Sequence, residues 1–117
     1  MRIARAELGA AKGWYFEPWN AELPVSIGYA HEEIDDPHVH QRTTEIYLVA
    51  RGTSQLRVEQ KAISLGPGDV AVIEPGEADA FLTSSSDYLH FIAHVPDLAD
   101  AEAKDEKQEV SRARLEL

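Results

Sequence analysis

The sequence predicts an all-β domain, a sandwich or barrel of many short strands. Runs of β-branched and aromatic residues recur along residues 1–96, and clusters of Gly, Pro, Ser and Asp separate them about every 8 to 12 residues. The length of 117 residues suits a single domain with one modest core. Residues 97–117 contain no Gly, Pro or aromatic residue, and 11 of these 21 are charged. We therefore expect a barrel over 1–96, followed by a separate charged segment.

The first half of the barrel contains three predicted strands. Residues 24–31 (PVSIGYAH) form a plausible strand, and residues 45–50 (EIYLVA) form a stronger one because they are rich in β formers. The turn cluster 51–54 (RGTS) ends that second strand. Residues 55–60 then alternate polar and apolar side chains, which is typical of a half-buried strand.

The second half contains further short predicted strands, separated by turns rich in Gly, Pro and Ser. The segment 66–69 (GPGD) is a clear turn, because Gly tolerates positive φ and Pro fixes its own φ. Residues 70–73 (VAVI) read as a buried strand. The remaining predicted strands are 62–65, 79–83 and 88–95, with turns at 74–77 and 84–87.

Residues 97–117 are predicted to be a charged tail or a short helix. Asp97 could cap such a helix, and Asp100 lies four residues before Lys104, a spacing that supports a helical ion pair. The apolar stripe is weak, however, so we expect partial helix or a solvated tail.

Composition excludes several classes of protein. The formal net charge is −10, which repels phosphate backbones, so we expect no nucleic-acid partner and no anionic membrane partner. The longest apolar run, 46–50, is far too short to span a bilayer. The start of the chain has no apolar stretch typical of a secretory signal. The absence of cysteine excludes disulfides and thiolate metal sites and fits a cytoplasmic location.

The most informative stretch holds two histidines and a glutamate. His38 and His40 are two positions apart, so in an extended segment both imidazoles point to one face. Glu45 opens the next strand, from which its carboxylate can return to the same face. Two imidazoles and a carboxylate form an open site suited to Fe(II), Mn, Zn, Ni or Cu. The alternative is an ordinary surface or hydrogen-bonded histidine pair.

This stretch resembles the first motif of the cupin superfamily. His38-x-His40 is followed after four residues by Glu45 and after six more by Gly52, as in that motif. The leading Gly of the motif is absent, because position 32 is Glu. The resemblance covers residues 25–95. It implies a double-stranded β-helix, or jelly-roll, barrel with a short C-terminal helix or tail.

The second cupin motif is altered. Gly68 and Gly76 match, Pro75 is shifted by one position, and Thr83 stands where the family has Asn. Asp79 stands at the position of the family's fourth metal ligand, a histidine. The resemblance thus implies a metal site of His38, His40, Glu45 and Asp79, in which the harder oxygen donors favour Mn, Fe(II) or Zn, with Ni also open. The alternative is that the second motif has drifted and the metal is lost.

Further side chains are candidates for a ligand pocket. His90 and His94 share one face of the strand 88–95, but the sequence does not decide whether that face points into the barrel. If it does, either could replace the missing ligand or act as a general base. Tyr29 and His31 share a face of the strand 24–31 and could line the pocket mouth. Tyr47 follows the alternation of Glu45, and Phe81 follows that of Asp79, so both are further pocket candidates.

Residues 14–19 concentrate four of the nine aromatic side chains. They could form a stacking wall for a ligand, or pack against the barrel or a second subunit. We favour packing and expect a homodimer that buries Trp14 or Trp19.

Two functions stay open. The first is a metal-dependent dioxygenase, isomerase or lyase that acts on a small polar molecule in the barrel. The second is a non-catalytic small-molecule binding or sensor protein, for example for a carbohydrate-like ligand, with or without metal. Fold alone does not decide between an enzyme and a binding module.

Overall fold

Two five-stranded antiparallel sheets form the computed structural model, which describes residues 1–5, 8–16, 23–31, 36–96 and 106–117. The first sheet has the order β1-β2-β9-β4-β7 and the second the order β10-β3-β8-β5-β6. The strands are β1 (Lys12–Phe16), β2 (Ser26–Ala30), β3 (His38–His40), β4 (Thr44–Arg51), β5 (Ser54–Val58), β6 (Lys61–Leu65), β7 (Val70–Ile73), β8 (Ala78–Ser84), β9 (Leu89–Val95) and β10 (Lys107–Glu109). The predicted all-β jelly-roll class is therefore confirmed.

The main hydrophobic core lies on the inner face of the first sheet and against the second. In β4 the inward residues Tyr47 and Val49 are buried, whereas Leu48 between them is 42% exposed. Phe81 from β8 is fully buried and packs its ring 5.0 Å from that of Tyr47. The full core cluster is Tyr47, Val49, Leu56, Val58, Leu65, Ile73, Phe81 and Tyr88.

The C-terminal segment is part of the second sheet. Strand β10 pairs antiparallel with β3, so that Lys107 lies opposite His40 and Glu109 opposite His38. A 3₁₀ helix over Arg112–Leu115 follows, and Leu115 is fully buried against Ala78 and Ala80. It is the only helix in the described part of the chain, where no helix has the length and hydropathy of a bilayer span.

The sequence interpretation of 97–117 as a charged tail or short helix did not anticipate β10. The strand has no apolar side chain, and all three of its residues are exposed. The proposed cap at Asp97 and the pair Asp100 and Lys104 lie outside the described residues.

Candidate metal centre

Three ligand-bearing side chains converge between the two sheets. His38 and His40 come from β3 of the second sheet and Glu45 from β4 of the first, and each is buried. One ligand atom from each lies within 4.8 Å of the other two. Glu45 thus approaches from the opposite sheet and not from a neighbouring strand of the same sheet, because residues 41–43 carry the chain across the barrel.

The hydrogen bond of His38 fixes which of its nitrogens faces the cluster. Nδ1 of His38 lies 3.0 Å from the carbonyl oxygen of Asp36. A carbonyl oxygen can only accept a hydrogen bond, so Nδ1 carries the proton. In the neutral imidazole the lone pair is therefore on Nε2, which lies 3.7 Å from Oε1 of Glu45.

The two oxygens of Glu45 have different surroundings. Oε2 accepts hydrogen bonds from the Tyr47 hydroxyl at 2.8 Å and from Nε2 of His94 at 3.1 Å. Oε1 is buried and accepts no well-aligned hydrogen bond, although Nε2 of His40 lies 3.1 Å away. Oε1 is thus the oxygen that remains available, and it faces the two imidazoles of β3.

Electrostatics make this a site for a positive charge. Burial raises the pKa of Glu45, but contacts with His38, His40 and His94 together hold it well below its ordinary value. For His40, burial acts to lower the pKa, and the neighbouring carboxylates of Glu45 and Glu106 outweigh it and raise the pKa. The cluster therefore keeps an ionised carboxylate deep in the barrel, and a proton on His40 or a cation can compensate its charge.

Two further side chains stand next to the three donors. Asp79 is fully buried opposite His38 in the β3–β8 ladder, and its Oδ1 lies 3.5 Å from Nε2 of His38. It stands outside the group whose ligand atoms lie within 4.8 Å of one another. His94, from β9, lies opposite Glu45 in the neighbouring ladder. Asp79 and His94 thus flank the cluster on two sides.

A cavity of about 390 Å³ opens onto the three donors. Among the predicted pocket residues, Tyr29, Tyr47, His90 and His94 line it. The orientation of β9, which the sequence left open, is such that its polar face lines the cavity. Phe81 does not line this cavity but lies behind it in the core. His31 lies along a separate surface depression, with Leu8 to Ala11 and Ser86.

His90 is the most deeply buried histidine of the cavity wall. It is 1% exposed, and its Nδ1 lies 2.7 Å from the Tyr88 hydroxyl. Burial lowers the pKa of His90 to about 4, with Lys12 adding to the fall and Glu45 opposing it. His90 is therefore a neutral side chain at ordinary pH.

The cavity wall also contains polar and aromatic side chains that were not predicted as pocket residues. Lys12 and Lys107 line it, and so does Trp14, whose ring packs edge-on 5.3 Å from that of His94. Trp14 was assigned to packing because a cluster of aromatics does not reveal its partners, and only the β1–β2 register brings it beside the site. Trp19 lies outside the described residues.

Glu106 is a further residue that the sequence did not reveal. It is buried, and its Oε2 lies 3.0 Å from Nδ1 of His40. In the sequence it is one of many acidic residues in a charged segment, with no motif around it. Only the pairing of β10 with β3 brings it to the site.

Comparison with known proteins gives a family and a fold. The family model for the Cupin domain matches residues 27–95, more than half of the chain. Among curated proteins none matches. Several solved structures match over most of this chain, and at their low sequence identities the likeness concerns the fold alone.

Three of these structures illustrate the likeness. The nucleoside dehydratase Pac13 of Streptomyces has a TM-score of 0.70 at 11% identity, over 94% of this chain and 91% of that chain. KdgF from Halomonas sp. has a TM-score of 0.63 at 19% identity, over 77% of this chain and 81% of that chain. The structure of the DMSP lyases RdDddP and RnDddQII has a TM-score of 0.54 at 20% identity, over 74% of this chain and 43% of that chain.

Proposed function

Because the chain belongs to the cupin domain family, we propose that it is a metal-dependent enzyme, most simply a lyase, that acts on a small anionic molecule in the barrel. One observation carries the metal: Oε1 of Glu45 is buried without a well-aligned hydrogen bond, between the imidazoles of His38 and His40. These donors fit a divalent ion such as Mn, Fe(II), Zn or Ni.

Asp79 and His94 compete for a fourth position at this ion. Asp79 would add a second carboxylate, whereas His94 already uses Nε2 in its hydrogen bond to Glu45. We favour Asp79, because its Oδ1 lies 3.5 Å from Nε2 of His38 in a fully buried position. Asp79→Ala should then weaken Mn binding at least tenfold to a hundredfold. Asp79→His should move selectivity from Mn toward Ni, Cu or Zn. If both variants bind as the wild type does and His94→Ala carries the loss, His94 is the fourth ligand.

The side chains around the donors support proton transfer. A bound divalent ion would act as a Lewis acid toward a substrate oxygen. His94 lines the cavity and donates Nε2–H to the ionised Glu45, which leaves its lone pair on Nδ1. We assign to His94 the role of general base, and to the Glu45 carboxylate the role of holding its tautomer.

The cavity wall supports a negatively charged substrate. The chain carries a net charge of −10, yet Lys12 and Lys107 both line the cavity. Trp14 offers a partly exposed apolar ring beside them. We propose a ligand with a carboxylate or phosphate group and an apolar or planar portion. Lys107→Gln should weaken its binding, whereas Lys61→Gln, on the outer edge strand β6, should not.

A lyase is favoured over the other cupin reactions for two reasons. The first is the proton-transfer pair of His94 and Glu45. The second is that the similar folds include a nucleoside dehydratase and DMSP lyases, and we extend that chemistry here as a proposal. The alternative is a binding module that uses the same cavity without turnover.

Metal content is the direct test of this proposal. Elemental analysis of the purified chain should find about one divalent ion per chain, and chelation should lower the melting temperature. A ligand at about 100 times its Kd stabilises by roughly 2.7 kcal/mol. His40→Ala should have a lower melting temperature than the wild type, and added Mn, Fe(II) or Zn should not raise it. The matched control is His31→Ala, which removes a histidine outside the cavity. A wild type that holds no metal and melts identically with and without chelator would refute the metal site.

Hydrogen–deuterium exchange separates the enzyme from the binding module. A panel of small hydroxy acids, their phosphates and uridine is incubated with the metal-loaded chain in D₂O and followed by proton NMR. Loss of a C–H signal from one compound, absent with His94→Gln, indicates proton abstraction. Ligand-induced stabilisation without exchange or product indicates a binding module.

We also propose that the chain forms a homodimer, and we place its interface at β7 and not at Trp14 or Trp19 as expected from the sequence, because Trp14 lines the cavity. Strand β7 is at the edge of the first sheet, and its outward residues Val70 and Val72 are 57% and 49% exposed. Leu48 on β4 extends this apolar face. A second copy could pair edge to edge about a twofold axis. Light scattering should give a dimer mass for the wild type and a monomer mass for Val72→Glu, and a wild-type monomer at micromolar concentration would contradict the proposal.

A further inference from the structure

Glu106 is anchored at the base of the cluster by hydrogen bonds from the crossing between the sheets. Its Oε1 accepts from the backbone N–H groups of Arg42 and Thr43 at 2.6 Å and 2.5 Å. Its Oε2 accepts from the backbone of Gln41 at 3.3 Å and lies 3.0 Å from Nδ1 of His40. One buried carboxylate thus contacts four donors on four consecutive residues.

These contacts determine the proton on His40. Three backbone N–H groups, those of Gln41, Arg42 and Thr43, donate to this carboxylate, and hydrogen bonds of that kind stabilise its ionised form. An ionised carboxylate only accepts hydrogen bonds, so Nδ1 of His40 must donate. In the neutral imidazole the lone pair is then on Nε2, 3.1 Å from Oε1 of Glu45.

We propose that Glu106 is a positioning residue of the metal centre, which holds the His40 ring in the Nδ1–H tautomer and so presents the Nε2 lone pair to the cation. This inference rests on the proposed function, since it gives the cation a ligand already oriented to bind it. Glu106 acts through His40 alone and does not itself contact the ion. A carboxylate behind a metal-bound histidine is a recognised way to fix its ring orientation and raise its basicity.

The backbone explains how a residue near the C-terminus reaches this position. Strand β10 pairs with β3 and puts Lys107 opposite His40. The residue before that pair, Glu106, therefore lies at the end of β3, where Gln41 donates its backbone N–H to the Glu106 carbonyl oxygen at 2.8 Å. The predicted tail is thus the element that completes the surroundings of His40.

A purely structural role is the competing explanation. The same carboxylate stabilises the crossing at residues 41–43, and losing it would lower the stability of the fold. A structural role alone predicts no change in the tautomer of His40. Tautomer and metal affinity therefore distinguish the two roles, whereas melting temperature does not.

The first measurement uses the unmodified chain. Long-range proton–nitrogen NMR of the ¹⁵N-labelled, metal-free protein, at an alkaline pH where its imidazoles are neutral, reports which ring nitrogen carries the proton. We expect Nδ1–H for His40, as for His38, whose Nδ1 donates to the Asp36 carbonyl. A His40 ring with its proton on Nε2 overturns the inference, and no variant is needed to reach that result.

The second measurement uses Glu106→Gln, because an amide can both donate and accept and so no longer enforces one tautomer. We expect the Nε2–H form of His40 to appear and the affinity for Zn and Mn to fall about tenfold to a hundredfold. The matched control is Glu109→Gln, which removes a charge from an exposed position of the same strand. In a His40→Ala background, the further change Glu106→Gln should leave any residual metal affinity unaltered.

The outcomes separate this inference from the proposed function. If the wild type binds neither Zn nor Mn, the proposed function fails and the inference fails with it. If the wild type binds metal and Glu106→Gln binds it equally well, only the inference fails. If Glu106→Gln does not fold, the tautomer of His40 in the wild type tests the inference alone: Nδ1–H supports it and Nε2–H overturns it. Nδ1–H in the wild type with a selective loss of affinity in Glu106→Gln supports both.

Discussion

Acid should destabilise this fold through one buried histidine, His90. Burial lowers the pKa of His90 from 6.5 to about 4. In the unfolded chain the same imidazole takes up a proton near its ordinary pKa, so the unfolded state binds more protons than the folded state in this interval. The stability that neutral His90 provides is complete above pH 6.5 and is lost progressively as the pH falls from 6.5 to about 4. A shift of this size corresponds to about 3 kcal/mol, at roughly 1.4 kcal/mol per unit.

The assay compares the wild type with His90→Gln, which keeps a polar side chain within reach of the Tyr88 hydroxyl. Urea unfolding at a series of pH values, with a chelator present throughout, gives the free energy of unfolding of each protein. The difference between the two free energies of unfolding at each pH cancels the contribution of the carboxylates, which both proteins contain. The stability of the wild type relative to His90→Gln should fall by about 1.4 kcal/mol per pH unit as the pH decreases below 6.5, and should level off near pH 4. A difference that is constant with pH would refute the reasoning.

Three further outcomes are expected. Leu115→Ala should lower the free energy of unfolding by about 2–5 kcal/mol because the side chain is fully buried, whereas Leu117→Ala, at a 38% exposed position, should change it little in the same urea titration. Gly52→Ala should lower the melting temperature strongly, because φ is +74° and the new Cβ would lie 2.6 Å from the Cα of Tyr88. The control is Gly66→Ala, whose new Cβ would have no heavy atom within 4 Å and should change the melting temperature little. The gain in melting temperature on adding Zn should shrink as the pH falls, because the raised pKa of His40 lets protons compete with the metal; a gain that does not depend on pH would contradict this.

The central strands could be predicted because the residues that indicate them are consecutive in the sequence. Strand β4 carries β formers and inward–outward alternation in eight consecutive residues, and turns of Gly and Pro bound β7. Strand β1 was seen only as an aromatic cluster, because its strand character depends on pairing with β2. Strand β10 has no apolar residue at all, so it has no periodic signal, and only the free backbone edge of β3 makes it a strand.

The site residues also differ in whether a local sequence pattern or a long-range contact brings them together. The spacing of His38, His40 and Glu45 is local, and the three residues do converge. The inward face of β9 was ambiguous because both of its faces carry large side chains, and only the neighbours β2 and β4 decide it. Glu106 is separated from His40 by 66 residues, so no spacing rule connects the two.

The convergence itself has an energetic cost that the rest of the fold must offset. An ionised carboxylate buried beside two imidazole lone pairs is unfavourable in a low-dielectric interior unless positive charge compensates it. The chain keeps this arrangement by fixing each partner from outside: Asp36 holds His38, Glu106 holds His40, and Tyr47 with His94 occupies one oxygen of Glu45. Each of these bonds takes up a donor or acceptor that could otherwise have satisfied the cluster internally. What remains is a set of acceptors that face one another within 4.8 Å, and this arrangement is the reason that we propose a cation between them.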